Sequence, residues 1–191
     1  MPKILNFALF VLSLLARLSF ALTWFCFLIP ICLVVQALKG TVTTNILQND
    51  NFLVVSAHLH LQQTTIEHFP QYLYAGLMSV GAVLAVIGAL YGLKALIKIL
   101  MNIRQRQYFS DENRRLLWTF IVAQFYALAA DPFIAGANQL ARTYLGRVNT
   151  GYFDGTWEDI YADLVALAII GTIYILFCSA TKIKREAELT I

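Results

Sequence analysis

Charge is what this sequence has least of. Charged residues make up 13% of the chain, about half the share of roughly 25% found in ordinary globular proteins, and long stretches hold none at all. Hydrophobic residues make up 59%. Charge so sparse and so segregated fits passage through lipid better than a large soluble core. Cysteine is scarce as well. Cys26, Cys32 and Cys178 all lie in apolar runs and form no CxxC pair, which argues against a disulfide framework or a zinc knuckle and for small packing residues. The sequence has no P-loop, no GxSxG, no HExxH and no dinucleotide-binding glycine fingerprint. No apolar span carries a histidine that could serve a serine or cysteine as base. These absences point to a non-enzymatic protein that needs no cofactor. The net charge of +3 is too small, and too concentrated beside the apolar runs, for direct nucleic-acid binding.

What the sequence does have is apolar runs of membrane-spanning length. Four spans are predicted, at about residues 18–38, 69–93, 116–138 and 160–181, each near the 20 or so residues that a bilayer requires. The fold class is an all-α integral membrane protein. A four-helix transmembrane bundle forms one domain over residues 1–191, with a small extracytoplasmic β-hairpin and a short outer-surface helix. Residues 4–16 are a further apolar block, separated from the first span by Arg17 and too short to cross alone. They either lie on the membrane surface or extend the first helix. A cleaved signal peptide is disfavoured, because Arg17 interrupts the segment and the apolar run continues past any cut after Ala21. Pro30 predicts a kink in the first span.

Orientation follows from the loop at residues 94–115. Lys94, Lys98, Arg104, Arg106, Arg114 and Arg115 crowd it, with only Asp111 and Glu112 opposing. Basic residues beside a span resist translocation, so this loop is cytoplasmic. Both termini then lie on the same side, and eleven of the fourteen Lys and Arg fall inside. Only Lys39, Arg142 and Arg147 fall outside. Ser110 is placed to cap the third helix, with acids in its first turn.

The outer segments predict several local features. Residues 41–47 are rich in β-branched side chains, residues 48–51 read as a turn, and residues 56–62 alternate polar with apolar, so a β-hairpin is expected. His58 and His60 share one face of its second strand, with His68 nearby; they are candidate metal ligands, although a polar strand face with a loop histidine is the simpler reading. Asp131-Pro132 interrupts the third span. Asp131 could cap a new helix over residues 132–145, or it could be an ionisable group at membrane depth and so a transport candidate. Thr156 and Asp159 have capping-box spacing, so the last helix should begin about Trp157. Asp154, Glu158, Asp159 and Asp163 read as acids at that helix start rather than a cation site. In the second span Gly81, Ala85, Gly88 and Gly92 form a stripe that lets helices approach closely, within the chain or in a homodimer.

Two short stretches resemble a known family. The run Tyr108-Phe109-Ser110-Asp111-Glu112-Asn113-Arg114-Arg115-Leu116, with the tail Glu186-Ala187-Glu188-Leu189-Thr190-Ile191, is similar to motifs of the YoaS-like bacterial four-span membrane proteins, a domain of unknown function. Gln107 stands where that family usually has glycine. The resemblance implies a multi-pass protein of the bacterial inner membrane and a cytoplasmic helix-turn-helix regulator as partner. Contacts to such a partner would fall to Arg104, Arg106, Phe109, Ser110, Glu112 and Asn113 in the loop and to Glu188, Leu189 and Ile191 in the tail. The competing function is a small transporter or channel subunit built around Asp131.

Overall fold

The computed structural model describes residues 3–55 and 67–189. In chain order the described elements are α1 Lys3–Phe25, α2 Leu28–Leu38, α3 Val42–Gln48, β1 Phe52–Val54, α4 Gln71–Arg104, α5 Asp111–Leu145, β2 Arg147–Asn149 and α6 Asp159–Leu189. Among the described residues four stretches are long and apolar enough to cross a membrane: Asn6–Leu38, Gln71–Arg104, Asp111–Leu145 and Asp159–Ala187. Each matches one predicted span, although Phe69 and Pro70 of the second precede its helix, and the helices outrun the spans. At 34 residues, α4 is roughly 50 Å long, against about 30 Å of hydrocarbon. Residues 4–16 are helical and extend the first span. That span breaks at Cys26 and Phe27, where Pro30, lacking an N–H, leaves the Cys26 carbonyl to accept from Ile29 N at 3.1 Å.

The chain forms two compact units. The first comprises Met1–Trp24, Ile87–Ala127 and Asp163–Ile191. Here α1 buries Leu9, Ser13 and Ala16, whose spacing keeps them on one helical face. Ala95 and Leu100 of α4 and Leu116, Ile121 and Ala123 of α5 are buried as well. A β-carbon placed on Gly88 would stand 2.8 Å from the Ala123 carbonyl oxygen and 3.0 Å from Tyr126 Cβ, so only glycine permits this approach. Gly92 is less constrained, its nearest neighbour lying 3.7 Å away.

The second unit comprises Phe25–Val86 and Leu128–Ala162. Its core gathers Val42 and Ile46 of α3, Tyr74, Ala75 and Met78 of α4, and Ala130, Ile134, Ala137, Ala141 and Leu145 of α5. A β-carbon on Gly81 would meet Ile134 Cγ1 at 2.6 Å and the Ala130 carbonyl oxygen at 3.1 Å.

Two local expectations are corrected here. The β-hairpin does not form as drawn: residues 42–48 are helical, because placing Val42 and Ile46 one turn apart buries both, which outweighs β-branched propensity. The one described strand of that segment, β1, pairs antiparallel with distant β2, in register Phe52↔Asn149 and Val54↔Arg147. The expected second hairpin strand, residues 56–62, lies outside the described residues. The separate outer helix is also absent, since α5 runs unbroken through Asp131 and Pro132 to Leu145. Pro132 is exposed, and its cost to the helix is tolerable where neighbouring packing holds the backbone.

Arg147 clamps the second unit. Its guanidinium donates to the carbonyl oxygens of Phe52 at 3.1 Å and Leu47 at 3.2 Å, joining β1 to the last turn of α3. Arg147→Met keeps the stem and removes both bonds. Amide exchange across residues 47–55 is expected to accelerate about thirtyfold, from the loss of two bonds each worth about 1 kcal/mol. Exchange measured by mass spectrometry checks this, with α4 as the unchanged reference.

Candidate functional site

The turn between α4 and α5 is built around one asparagine. Asn113 donates through its side-chain amide to the carbonyls of Gln107 at 2.7 Å and Tyr108 at 2.9 Å, and its oxygen accepts from Asn102 at 2.7 Å. Asn102 and Asn113 are 7% and 3% exposed, so both amides are satisfied inside the turn rather than by water. Ser110 caps α5 as the sequence suggested, its hydroxyl accepting from Asn113 N at 3.2 Å. Asp111 pairs with Arg114 at 3.4 Å and with Arg185 of α6. Phe109 stacks on Phe177 of α6 at 5.7 Å.

The end of α4 carries the least ordinary backbone among the described residues. Arg106 N bonds to Ile103 O and Gln107 N to Asn102 O, at 3.0 and 2.9 Å. These are the two bonds of a Schellman motif, whose left-handed residue is usually glycine. The same motif closes α2, with Gly40 N on Ala37 O and Thr41 N on Gln36 O, both at 3.0 Å, and there the left-handed residue is Gly40 at φ 69°. At the end of α4 it is Arg106, at φ 62°. Among the described residues Arg106 is the single non-glycine with positive φ.

The residues expected to bind a partner therefore divide. Asn113 and Ser110 are spent on the turn itself, and Phe109 is half-covered by Phe177. Arg104, Arg106 and Glu112 are exposed, with the Arg104 guanidinium 5.8 Å over the Phe10 ring. In the tail, Glu188 and Leu189 continue α6; Ile191 lies outside the described residues. The sequence offered Asn102 no role. Its spacing from Asn113 across a turn is the signal that could have found the pair.

Asp131 is half-buried in the interior of α5 rather than at a helix start. Its neighbours Ala130 and Ile134 pack on Gly81, the midpoint of the uncharged run at residues 69–93. A second asparagine pair joins α5 to β2. Asn138 donates to the carbonyls of Phe153 and Gly155 at 2.8 and 2.9 Å, and Asn149 donates to Phe153 O at 2.7 Å. The pair pins the segment after β2, which ends at Thr156. Thr156 N and Oγ1 both donate to the Asp159 carboxylate, which is one arm of the expected capping box, while Asp159 N bonds to the Thr156 carbonyl and α6 begins at Asp159 rather than about Trp157. Of the candidate metal ligands, His58 and His60 lie outside the described residues, and His68 is exposed beside Phe69. Among the described residues no three His, Cys, Asp or Glu side chains gather to hold a metal ion.

The stripe on α4 is partly spent inside the chain. Gly81 and Gly88 are buried against α5, while Ala85 packs on the core of the second unit. No family model, curated protein or solved structure matches this chain.

Proposed function

We propose that this is a non-enzymatic, multi-pass membrane protein that holds a cytoplasmic partner at the basic turn between α4 and α5. The membrane reading is supported by where the apolar surface lies. In the most apolar windows of the first and last candidate spans only 6% of residues are buried, against 44% and 33% in the middle two. Leu14, Leu18, Leu22, Ile169, Ile173 and Leu176 are all about half exposed or more, which water would penalise by about 25 cal/mol per Å² and lipid would not. The excess of Lys and Arg at the turn and at the end of α6 then favours the cytoplasmic side for both. With its similar motifs, the chain fits the YoaS-like family of the bacterial inner membrane, whose implied partner is a helix-turn-helix regulator.

One observation carries the partner reading. Arg106 occupies a backbone conformation that glycine adopts free of strain and that costs other residues about 1–2 kcal/mol. Strain of this kind is kept where the side chain is useful, and here the useful part is an exposed guanidinium on a turn whose own polar groups are satisfied. Arg106→Gly separates the two roles. The variant is expected to melt at the same temperature or higher and to lose copurification of the partner from native membranes. A partner retained at the wild-type level would defeat the proposal. Arg104→Gln with Arg106→Gln, and truncation after Arg185, are expected to insert normally and lose the partner too.

A second reading, a small transporter or channel subunit, gains from the continuity of α5. With no helix to cap, Asp131 is an acid within an apolar span, and such residues mark solute or proton paths. That reading expects Asp131→Asn to abolish solute flux while the turn variants stay near normal. The partner reading expects Asp131→Asn to keep the partner.

A further inference from the structure

We propose that the groove between α5 and α6 is a binding site for the headgroup of an anionic phospholipid. Arg114, Arg115, Trp118 and Tyr174 line a cavity of about 380 Å³. Arg114 and Arg115 stand one turn before Trp118 on α5, and Trp118 meets Tyr174 of α6 with ring centroids 5.7 Å apart. The groove thus has a basic end and an aromatic end. The charge at the basic end is not cancelled. Asp111 is shared between Arg114 and Arg185, and no carboxylate lies within ion-pair distance of Arg115 among the described residues, so three guanidiniums face one carboxylate. Glu112, one turn from Arg115 on the same helix, is exposed and makes no ion pair with it.

The ligand chemistry follows from that arrangement. A guanidinium presents paired donors that fit two phosphate oxygens and stacks on aromatic faces. Trp and Tyr favour the depth where headgroups meet acyl chains. Basic pockets between membrane helices on the cytoplasmic side suit anionic headgroups. A phosphodiester would sit between Arg114 and Arg115, its acyl chains leaving past Trp118 and Tyr174. A free phosphate would use the arginines but gain nothing from the rings, so the site is assigned to lipid. The inference rests on the membrane reading above and goes beyond it.

The test uses the full chain purified in neutral detergent and native mass spectrometry of its lipid adducts. With dioleoylphosphatidylglycerol and dioleoylphosphatidylcholine supplied equally, the wild type is expected to retain the anionic lipid about tenfold better. Arg115→Gln, which leaves the Arg114–Asp111 pair intact, is expected to lose most of that preference, and Arg114→Gln with Arg115→Gln all of it. Lys98→Gln, an exposed cation on α4, is expected to keep it. Equal retention of the two lipids by the wild type, or an unchanged preference in the double variant, overturns the site. Displacement of the lipid by inorganic phosphate at equal concentration assigns the groove to a soluble anion and overturns it as well. Alkaline carbonate extraction of the source membranes is run alongside. Protein that washes out contradicts the membrane reading, whereas protein that stays in and shows no lipid preference contradicts this site alone.

Discussion

Asn113→Ala is expected to destabilise the detergent-solubilised protein by about 3 kcal/mol or more, the largest single-residue effect in the turn. The substitution orphans the buried Asn102 amide, at about 1–3 kcal/mol, and removes the hydrogen bonds to Gln107 O and Tyr108 O, worth about 1 kcal/mol each. It also opens the path by which α4 reverses into α5, since both carbonyls lie in the connecting residues. Asn102→Leu removes one partner and leaves both Asn113 donors engaged, so its expected cost is smaller, about 1 kcal/mol. Thermal melting of both variants, with protease accessibility of residues 105–110, checks the order. Equal melting of Asn113→Ala and wild type would show that the turn does not depend on this amide.

The second large effect is at Gly88. Gly88→Leu must fit four carbons where even a β-carbon would stand 2.8 Å from the Ala123 backbone. A backbone carbonyl cannot swing aside as a side-chain tip can, so α4 and α5 must separate locally, at about 3 kcal/mol or more. Gly92→Leu begins from ordinary contact at 3.7 Å and is expected to cost less than about 1.5 kcal/mol. Melting temperatures that fall equally at the two positions would refute the geometry. The contrast also bears on assembly, because a dimer made through the whole stripe would need Gly88 on the surface.

Periodic and uncompensated features were legible in the sequence. The apolar runs gave the four long helices because nothing local competes with a stretch that holds no charge. Ser110 and the Thr156–Asp159 pair were legible because caps are fixed by spacing within one turn. Pairings across the chain left no such mark. Phe52–Val54 falls between the turn and the alternating stretch of the expected hairpin, yet it is the strand that forms, with its partner at Arg147–Asn149, and no pattern within either segment says so. Residues 42–48 misled through propensity, which the burial of Val42 and Ile46 overrode. Asp131-Pro132 misled through a true rule, since the dipeptide does favour a helix start in water. Within a packed helix it is carried through. In the basic turn, the charges were visible and the strain was not: only backbone geometry distinguishes Arg106 from Arg104.

The central claim is that the turn at Arg106 and the end of α6 lie on the cytoplasmic side of a membrane, with the segment after β2 on the other. Single-cysteine variants test it, on a background in which Cys26, Cys32 and Cys178 are serine. With an impermeant maleimide on intact cells, Tyr152→Cys, which replaces a side chain 91% exposed, is expected to label at once. Arg106→Cys and Glu186→Cys are expected to label only after the membrane is opened. Labelling of Arg106→Cys from outside, or protection of Tyr152→Cys in cells where Arg106→Cys reacts, would contradict the account.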